Sequence, residues 1–403
     1  MQKYSSELLD QVREALLSQE PDLTQVKTFL IKELNLSAES STVLIYQVVQ
    51  KLNLSLFPAI SHLELIHTEG CNLACSYCFE KNMIGHKKMP TEIARLAVNL
   101  LFDYARDESC LEITHFGGEP TLNIQGIKAA TEYAEKRALS MGKSVGFNMT
   151  SNGVLLDEDM VAYFADHNIQ VLLSIDGCES TNNRFRIDRR GRGTFKQVLK
   201  GLEILKKRQP WIGAKMTVMP ESVDSLFNDV LGLYDVGVNH FFIGHATGVD
   251  WSNMAMRIFE EQLRQLYHWY KGNSREDLRI DDFEKIDKGS FFGCRAGRNS
   301  IAVSIYGDIS PCSKIMGFSS KKLVGKLGDV WHGLTHIRNR DELVSCARLS
   351  SACEEQGIAL DFQGGCFAVN YGESGDLFQP SVTEHSFSLL KRSACAGCSG
   401  CTN

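Results

Sequence analysis

The spacing of apolar residues changes twice along the chain and divides it into three stretches. Up to about residue 58, Leu8, Leu9, Val12, Leu16 and Leu17 recur at helical spacing, as do Val26, Phe29, Leu30 and Ile31. Val43–Leu54 predicts a third helix, which Pro58 closes, and no alternating strand pattern occurs there. From about 61 to 271, apolar strand-like runs alternate with amphipathic ones. The runs His62–Thr68, Leu111–Phe116, Ser144–Thr150, Ile169–Ile175, Ala214–Met219 and His240–His245 predict strands. Thr91–Tyr104, Ile127–Leu139, Met160–His167, Phe195–Lys207 and Ser225–Val236 predict the helices between them. Such alternation implies a parallel sheet, and six units suit an α/β fold of partial (β/α)6 TIM-like barrel type. Chemistry in such barrels gathers in the loops after the strands. From about 290, glycine and cysteine become frequent and the long periodic runs stop. A small cysteine-rich domain of short, turn-rich pieces is expected there, crosslinked by metal rather than by a large core. The expected domains are a helical extension over 1–58, the partial barrel over 59–280 and the cysteine-rich domain over 281–403.

Composition adds two constraints. The 403 residues are 43% hydrophobic and 23% charged, as in ordinary globular proteins. A net charge of −6 gives no electrostatic reason to expect nucleic-acid binding, and no apolar run suits a membrane span. The first residues lack the apolar core of a signal peptide, so a cytoplasmic protein is expected. The 13 cysteines are the departure from the ordinary. In a reducing compartment, clustered cysteines point to metal ligands rather than disulfides. Three stand together at Cys71, Cys75 and Cys78, and most others gather between Cys294 and Cys401. Cys110 and Cys178 stand apart and read as small buried hydrophobes.

The early triplet, Cys71-Asn-Leu-Ala-Cys75-Ser-Tyr-Cys78-Phe79, follows the first predicted strand. Its spacing lets three thiolates converge from one loop. A [4Fe–4S] cluster held by four cysteines has no vacancy, whereas three leave one iron open to a small molecule. Zinc is the alternative, and it prefers four closed ligands, with His67 or His86 supplying the fourth. Tyr77 and Phe79 beside the last cysteine weigh against zinc.

These nine residues closely resemble the signature of the radical S-adenosylmethionine (SAM) superfamily. The resemblance implies a [4Fe–4S] cluster with an open iron, on which SAM is cleaved to a 5′-deoxyadenosyl radical. Tyr77 belongs to that signature and is assigned with the SAM-binding residues. Gly117-Gly118-Glu119-Pro120 is similar to the glycine-rich turn that holds the SAM amino group. Ser151 and Asn152, after the third strand, and Ser174 and Asp176, after the fourth, look like the family's polar strand ends beside SAM. Arg186 matches the arginine for the SAM carboxylate, with Arg184 as the alternative, in a loop that also carries Arg189, Arg190 and Arg192. Relatives commonly have His-Asp shortly before it, where this chain has Asn182-Asn183.

The late cysteines extend the resemblance. Cys294, the Gly307 turn and Pro311-Cys312 resemble the opening of a SPASM domain, which holds auxiliary [4Fe–4S] clusters, and Gly364-Gly365-Cys366 resembles its later element. A hairpin at Gly307 is expected to bring Cys294 and Cys312 together. Phe362 and Gln356 occupy positions where the family has cysteines, and neither replaces a thiolate. The terminal Cys395, Cys398 and Cys401 are expected to take over, with Cys353 or Cys346 as a fourth ligand. Cys294, Cys312 and Cys366, with Cys346, then serve the other cluster, and a single auxiliary cluster is the alternative.

The resemblance implies a radical SAM maturase acting on a ribosomally made peptide or a protein, by crosslink, thioether, epimerisation, oxidation or excision. A leader peptide and an electron donor such as flavodoxin or ferredoxin are the implied partners. An anaerobic sulfatase maturase making formylglycine is the nearest alternative. There an aspartate follows the Pro-Cys cysteine, whereas Ser313-Lys314 follow Cys312. A non-catalytic iron–sulfur electron carrier is the alternative of another class. No residue is singled out as the catalytic acid or base.

Overall fold

A computed structural model describes residues 6–18, 21–81, 85–273, 276–284, 294–317, 324–358 and 365–395. Three helices open the chain: α1 (Ser6–Leu16), α2 (Leu23–Leu34) and α3 (Ala38–Leu56). Alternation follows with β1 (His62–Ile66), α4 (Thr91–Tyr104), β2 (Cys110–Phe116), α5 (Ile124–Met141) and β3 (Ser144–Ser151). It continues with α6 (Glu158–Asp166), β4 (Ile169–Ser174), α7 (Glu179–Phe185), α8 (Phe195–Lys206) and β5 (Gly213–Val218). Next come α9 (Leu226–Asp235), β6 (His240–His245), α10 (Asn253–Gly272) and β7 (Arg279–Ile280). The last part holds β8 (Ser300–Val303), β9 (Asp308–Ser310), α11 (Ser313–Met316), β10 (Gly328–Asp329) and α12 (Ile337–Ser345). The final helices are α13 (Ala347–Glu355), α14 (Phe367–Ser374) and α15 (Val382–Cys395). All six predicted strands are present, with ends within two residues of the sequence reading.

The chain packs as two compact units, each built from three separated stretches. Met1–Gly70, Asn82–Phe147 and Arg295–Ala347 form the first, and Cys71–Lys81, Asn148–Cys294 and Arg348–Asn403 the second. In the first unit β1 lies between β2 and β8 and runs parallel to both, with Leu63 opposite Ile113 on one side and Ile301 on the other. All three of these side chains are fully buried. Removing a side chain of this size from water contributes about 1.5–3 kcal/mol. β9 returns antiparallel to β8 through Gly307, whose φ of +83° suits glycine, so the expected hairpin forms. In the second unit β4, β5, β6 and β7 run parallel, around a core that includes Val171, Leu173, Ala214, Met216 and Phe241.

A buried arginine joins the opening helices to the last part of the first unit. Arg340 on α12 is 1% exposed. Its guanidinium donates to Asn53 Oδ1 on α3 (2.8 Å), to the Pro58 carbonyl (2.8 Å) and to the carbonyls of Gly297 and Arg298 (both 3.2 Å). Among these partners none is a carboxylate, and burial pulls Arg340 down to about 10. Asn53 in turn donates to the Leu334 carbonyl (2.9 Å), while Tyr46 on α3 donates to Asp103 on α4 (2.8 Å).

The end of the chain corrects the expectation of short turn-rich pieces. Among the described residues, four helices lie between Ile337 and Cys395, and α15 alone has 14 residues. They bury Leu343, Leu349, Phe367 and Phe387, so apolar packing contributes more there than the cysteine-rich texture led one to expect. In the second unit Phe387 of α15 stacks on His245 at 3.8 Å and meets Trp251 and Phe259 edge-on. The helices escaped the sequence reading because their apolar faces are broken by residues such as Arg340 and Asn370, both buried and both hydrogen-bonded.

Replacing Arg340 with Met strands four acceptors, two of them buried and two half-buried, and a buried acceptor costs about 1–3 kcal/mol when unmade. Arg340→Met is therefore expected to lower stability by about 3 kcal/mol or more in denaturant unfolding. Arg340→Lys should recover part of the loss; an unchanged midpoint would mean that water replaces the guanidinium.

Candidate functional site

In the second unit the loop 71–81 is clamped by backbone to residues 185–189. Ala74 N–H donates to the Ile187 carbonyl (2.8 Å), Ser76 N–H to Phe185 (3.1 Å), and Leu73 forms an isolated bridge with Asp188. Cys78 N–H closes a turn on the Cys75 carbonyl (3.2 Å). Arg189 Nε donates to the Cys71 carbonyl (3.0 Å), and Asn152 donates to Asn72 (2.8 Å) and toward the Cys71 sulfur (3.9 Å). Cys71, Cys75 and Cys78 are all half-buried. Burial pushes the thiols of Cys75 and Cys78 up, the latter to about 11, so a metal must displace their protons at neutral pH.

One carboxylate organises the surroundings of Cys75. Asp176, just past β4, accepts from Arg186 Nη2 (3.0 Å), from the Thr217 N–H (2.9 Å) and from the Tyr77 hydroxyl, and its other oxygen lies 3.0 Å from Arg186 Nε in an ion pair. Its side chain is 0% exposed and that of Arg186 is 8% exposed. Burial alone would pull Arg186 down, but Asp176, Tyr77 and Cys75 together hold it above its ordinary value. The guanidinium also lies against the Tyr77 ring (5.4 Å to its centre), and its charge works against the rise that burial gives the Cys75 thiol. Phe185, Met219, Ala246 and Tyr77 pack together beside it.

The unfamiliar Asn182-Asn183 pair has a part in this arrangement that sequence reading missed. Asn182 is fully buried, and its Oδ1 accepts the Asp176 N–H (3.3 Å). Asn183 accepts the Phe195 N–H (2.9 Å) at the start of α8. Gly193 leaves room for it, since a Cβ there would come 2.2 Å from the Asn183 side chain. The one signal in the sequence is two short amides ahead of a turn, the residue type that accepts local backbone N–H groups.

The Gly-Gly-Glu-Pro turn lies in the first unit, against the residues that lead into the cysteine loop. Gly118 N–H donates to the Thr68 carbonyl (3.0 Å) and Glu119 N–H to that of Gly70 (2.8 Å). A Cβ on Gly118 would come 2.4 Å from the Gly70 carbonyl oxygen. Glu119 is buried and accepts from Thr121 N–H (3.2 Å) and Thr121 Oγ1 (2.6 Å), capping the short helical turn Pro120–Asn123. Beneath the turn, His67 Nε2 pairs with His115 Nδ1 (2.8 Å), and His115 Nε2 with Thr131 Oγ1 (3.1 Å). Burial holds His67 down at about 3 and His115 well below the usual range, so both rings are neutral.

The other expected site residues are dispersed over both units. Ser151 is buried and accepts the Gly153 N–H (3.1 Å), and Ser174 ends β4 half-buried. Cys312 caps α11, accepting the Ile315 N–H at 3.4 Å. Cys346 is buried at the left-handed end of α12, its thiol on the Leu343 carbonyl (3.0 Å). Cys353 is buried in α13, Cys366 precedes α14, Cys395 ends α15, and Cys294 is half-buried. Cys398 and Cys401 lie outside the described residues, as do Gly364 and Phe362. Among the described residues, no three His, Cys, Asp or Glu side chains gather closely enough to enclose a single metal ion. His86 is exposed and His67 is engaged by His115, so neither completes a zinc set. Three soft sulfurs from one short loop form a donor set that fits an iron–sulfur group. No helix among the described residues is long and apolar enough to cross a membrane.

Residues 65–234 match the family described as "Radical SAM superfamily" and form a radical SAM domain. The cysteine-type anaerobic sulfatase-maturating enzyme of Clostridium novyi is 26% identical over 148 residues, 35% of this chain and 38% of its own length. The chain thus spans well under half of that relative. Among solved structures, "Native anSMEcpe with bound AdoMet and Cp18Cys peptide" superposes with a TM-score of 0.62 at 20% identity, over 84% of this chain and 99% of that one. Streptococcus suis SuiB bound to precursor peptide SuiA gives 0.59 at 15% identity, over 94% and 93%. The α/β fold with its parallel sheet is therefore that of radical SAM partial barrels.

Two predictions concern the first unit. Because the unfolded histidines take up protons near pH 6.5 and the folded ones do not, the stability they contribute is complete above that pH. It is lost as pH falls from 6.5 toward 3. His115→Gln is expected to shrink the stability lost between pH 7 and pH 5 by about 2 kcal/mol in denaturant titrations. Gly118→Ala, which forces a methyl against the Gly70 backbone, should cost about 1–3 kcal/mol in the same assay.

Proposed function

We propose that this protein is a radical SAM maturase that modifies a residue of a peptide or protein. The observation that carries the reading is the cysteine loop itself: the loop of Cys71, Cys75 and Cys78 is clamped to residues 185–189 within a radical SAM domain. Those three residues would hold a [4Fe–4S] cluster. When bound, such a cluster supplies the electron that splits SAM into methionine and a 5′-deoxyadenosyl radical, which abstracts hydrogen from the substrate residue. Asn152 steadies Cys71, and the Asp176–Arg186–Tyr77 group steadies Cys75. Gly117, Gly118, Glu119 and Pro120 are assigned to the SAM amino group and Arg186 to its carboxylate, with Tyr77, Ser151, Asn152, Ser174 and Asp176 as further SAM contacts. Enclosing these polar groups excludes water from a reaction that solvent would quench.

Peptide substrates are supported by the likeness to a sulfatase-maturating enzyme and to a protein solved with its precursor peptide. The family's aspartate after the Pro-Cys cysteine is replaced by Ser313, whose N–H is taken by Glu64 (2.8 Å), which favours peptide maturation over formylglycine formation. In this reading residues 1–58 form a helical extension that could receive a leader peptide, 59–280 the radical domain and 281–403 a SPASM-like domain. Cys294, Cys312, Cys346, Cys353, Cys366, Cys395, Cys398 and Cys401 would supply one or two auxiliary clusters. A cytoplasmic flavodoxin or ferredoxin would deliver the electron.

Anaerobically reconstituted protein given dithionite and SAM is expected to release 5′-deoxyadenosine, and Cys71→Ala to reduce the yield to background. A wild-type protein that loads iron and sulfide yet releases none would leave only the electron-carrier alternative.

A further inference from the structure

We propose that Lys215, in the middle of β5, is a specificity residue that takes a carboxylate of the peptide substrate. The inference deepens the proposed function and rests on it, since it names a chemical feature of that substrate. β5 is paired on both sides, with β4 and with β6. A parallel strand enclosed by two others is ordinarily apolar along its length. One face of β5 obeys that rule, where Ala214, Met216 and Val218 are buried. The opposite face breaks it: Lys215 is exposed there, at a position inside the sheet and not at its edge.

The strand register defines the surroundings of the ammonium. Lys215 lies between Ser174 on β4 and Phe242 on β6, and Thr217 further along β5 pairs with Gly244. Register partners in parallel strands share a face, so these four residues stand on the side of Lys215. All four are half-buried, and none is an acid. A Cβ at Gly244 would come 4.0 Å from Lys215 Nζ, so the stem leans along β6 toward the C-terminal strand ends. Chemistry in such folds gathers at those ends. A cation over half-buried neighbours attracts an anion more strongly than one in open water. The SAM carboxylate is assigned to Arg186, which leaves Lys215 to a carboxylate of the peptide. An acidic side chain or a free C-terminus supplies that group.

The test is affinity selection on the anaerobically reconstituted full chain with SAM, read by mass spectrometry. The probes are two random-sequence peptide pools, one with free C-termini and one amidated. Wild type is expected to enrich peptides containing Asp or Glu about tenfold from the amidated pool where a side chain supplies the carboxylate. Enrichment confined to the free-acid pool, whatever the side chains, assigns the terminal carboxylate instead. Lys215→Met should lose the enrichment, Lys215→Arg should keep it, and Lys215→Glu should select Lys and Arg peptides. A wild type with no preference for carboxylates in either pool overturns the proposal. So does a Lys215→Met protein that keeps the wild-type preference, including one that loses SAM affinity instead. If Lys215→Glu fails to fold, the Met and Arg variants decide. A wild type that selects carboxylates through Lys215 but never releases 5′-deoxyadenosine counts against the proposed function alone. One that cleaves SAM yet shows no such preference counts against Lys215 alone.

Discussion

A guanidinium and a carboxylate withdrawn from water hold the cysteine loop in its shape. Desolvating two such charges is expensive, and their mutual attraction offsets it only where the remaining donors and acceptors are also satisfied. Asp176 meets that condition through Arg186, Thr217 and Tyr77 at once. These partners come from the loop 71–81, the end of α7 and the end of β5, so one carboxylate ties together three parts of the second unit. Removing one partner of such a pair typically costs about 3–5 kcal/mol, because the other charge is left stranded. The backbone contacts of Ala74 and Ser76 to residues 185–187 then follow as the path the chain takes between fixed points.

The first unit solves the same problem without an opposing charge. Arg340 is buried against carbonyl dipoles and one amide, and the histidines of the His67–His115 pair are buried neutral. With His115 Nε2–H donating to Thr131 and His67 Nε2–H donating to His115, every N–H of the pair finds an acceptor. The ring atom left over, His67 Nδ1, is then an acceptor, whose burial costs less than that of a lone N–H. Both devices lie where the chain must be rigid: Arg340 under the opening helices, the histidines under the Gly-Gly-Glu-Pro turn.

Much of this was legible in the sequence. The strands were readable because their apolar runs are short, separated and buried on both faces, as in β4, where Val171 and Leu173 are both fully enclosed. The cysteine triplet and the glycine turn were readable because spacing and steric need are local properties. What could not be read was partnership. That Arg186 donates to Asp176 depends on how the turn after β4 folds back on α7, which no local spacing shows. Asn182 looked like a departure from pattern until its backbone partner was known. The late helices were obscured by polar residues that tertiary contacts satisfy, and cysteine-rich texture concealed their apolar stripes.

The interleaving of the two units also governs the order in which the chain can assemble. β1 meets β2 early in synthesis, but its other edge is filled by β8, which begins at Ser300. At roughly 5–20 residues per second, a ribosome leaves that parallel edge open for on the order of ten seconds or more. A bare edge is a template for pairing with other chains. The nascent protein would therefore pass through an interval of self-association risk at this edge, which ends when β8 pairs with β1. Within that interval, the α3–α4 contacts such as Tyr46 to Asp103 are among the few first-unit contacts already available to steady the strand pair.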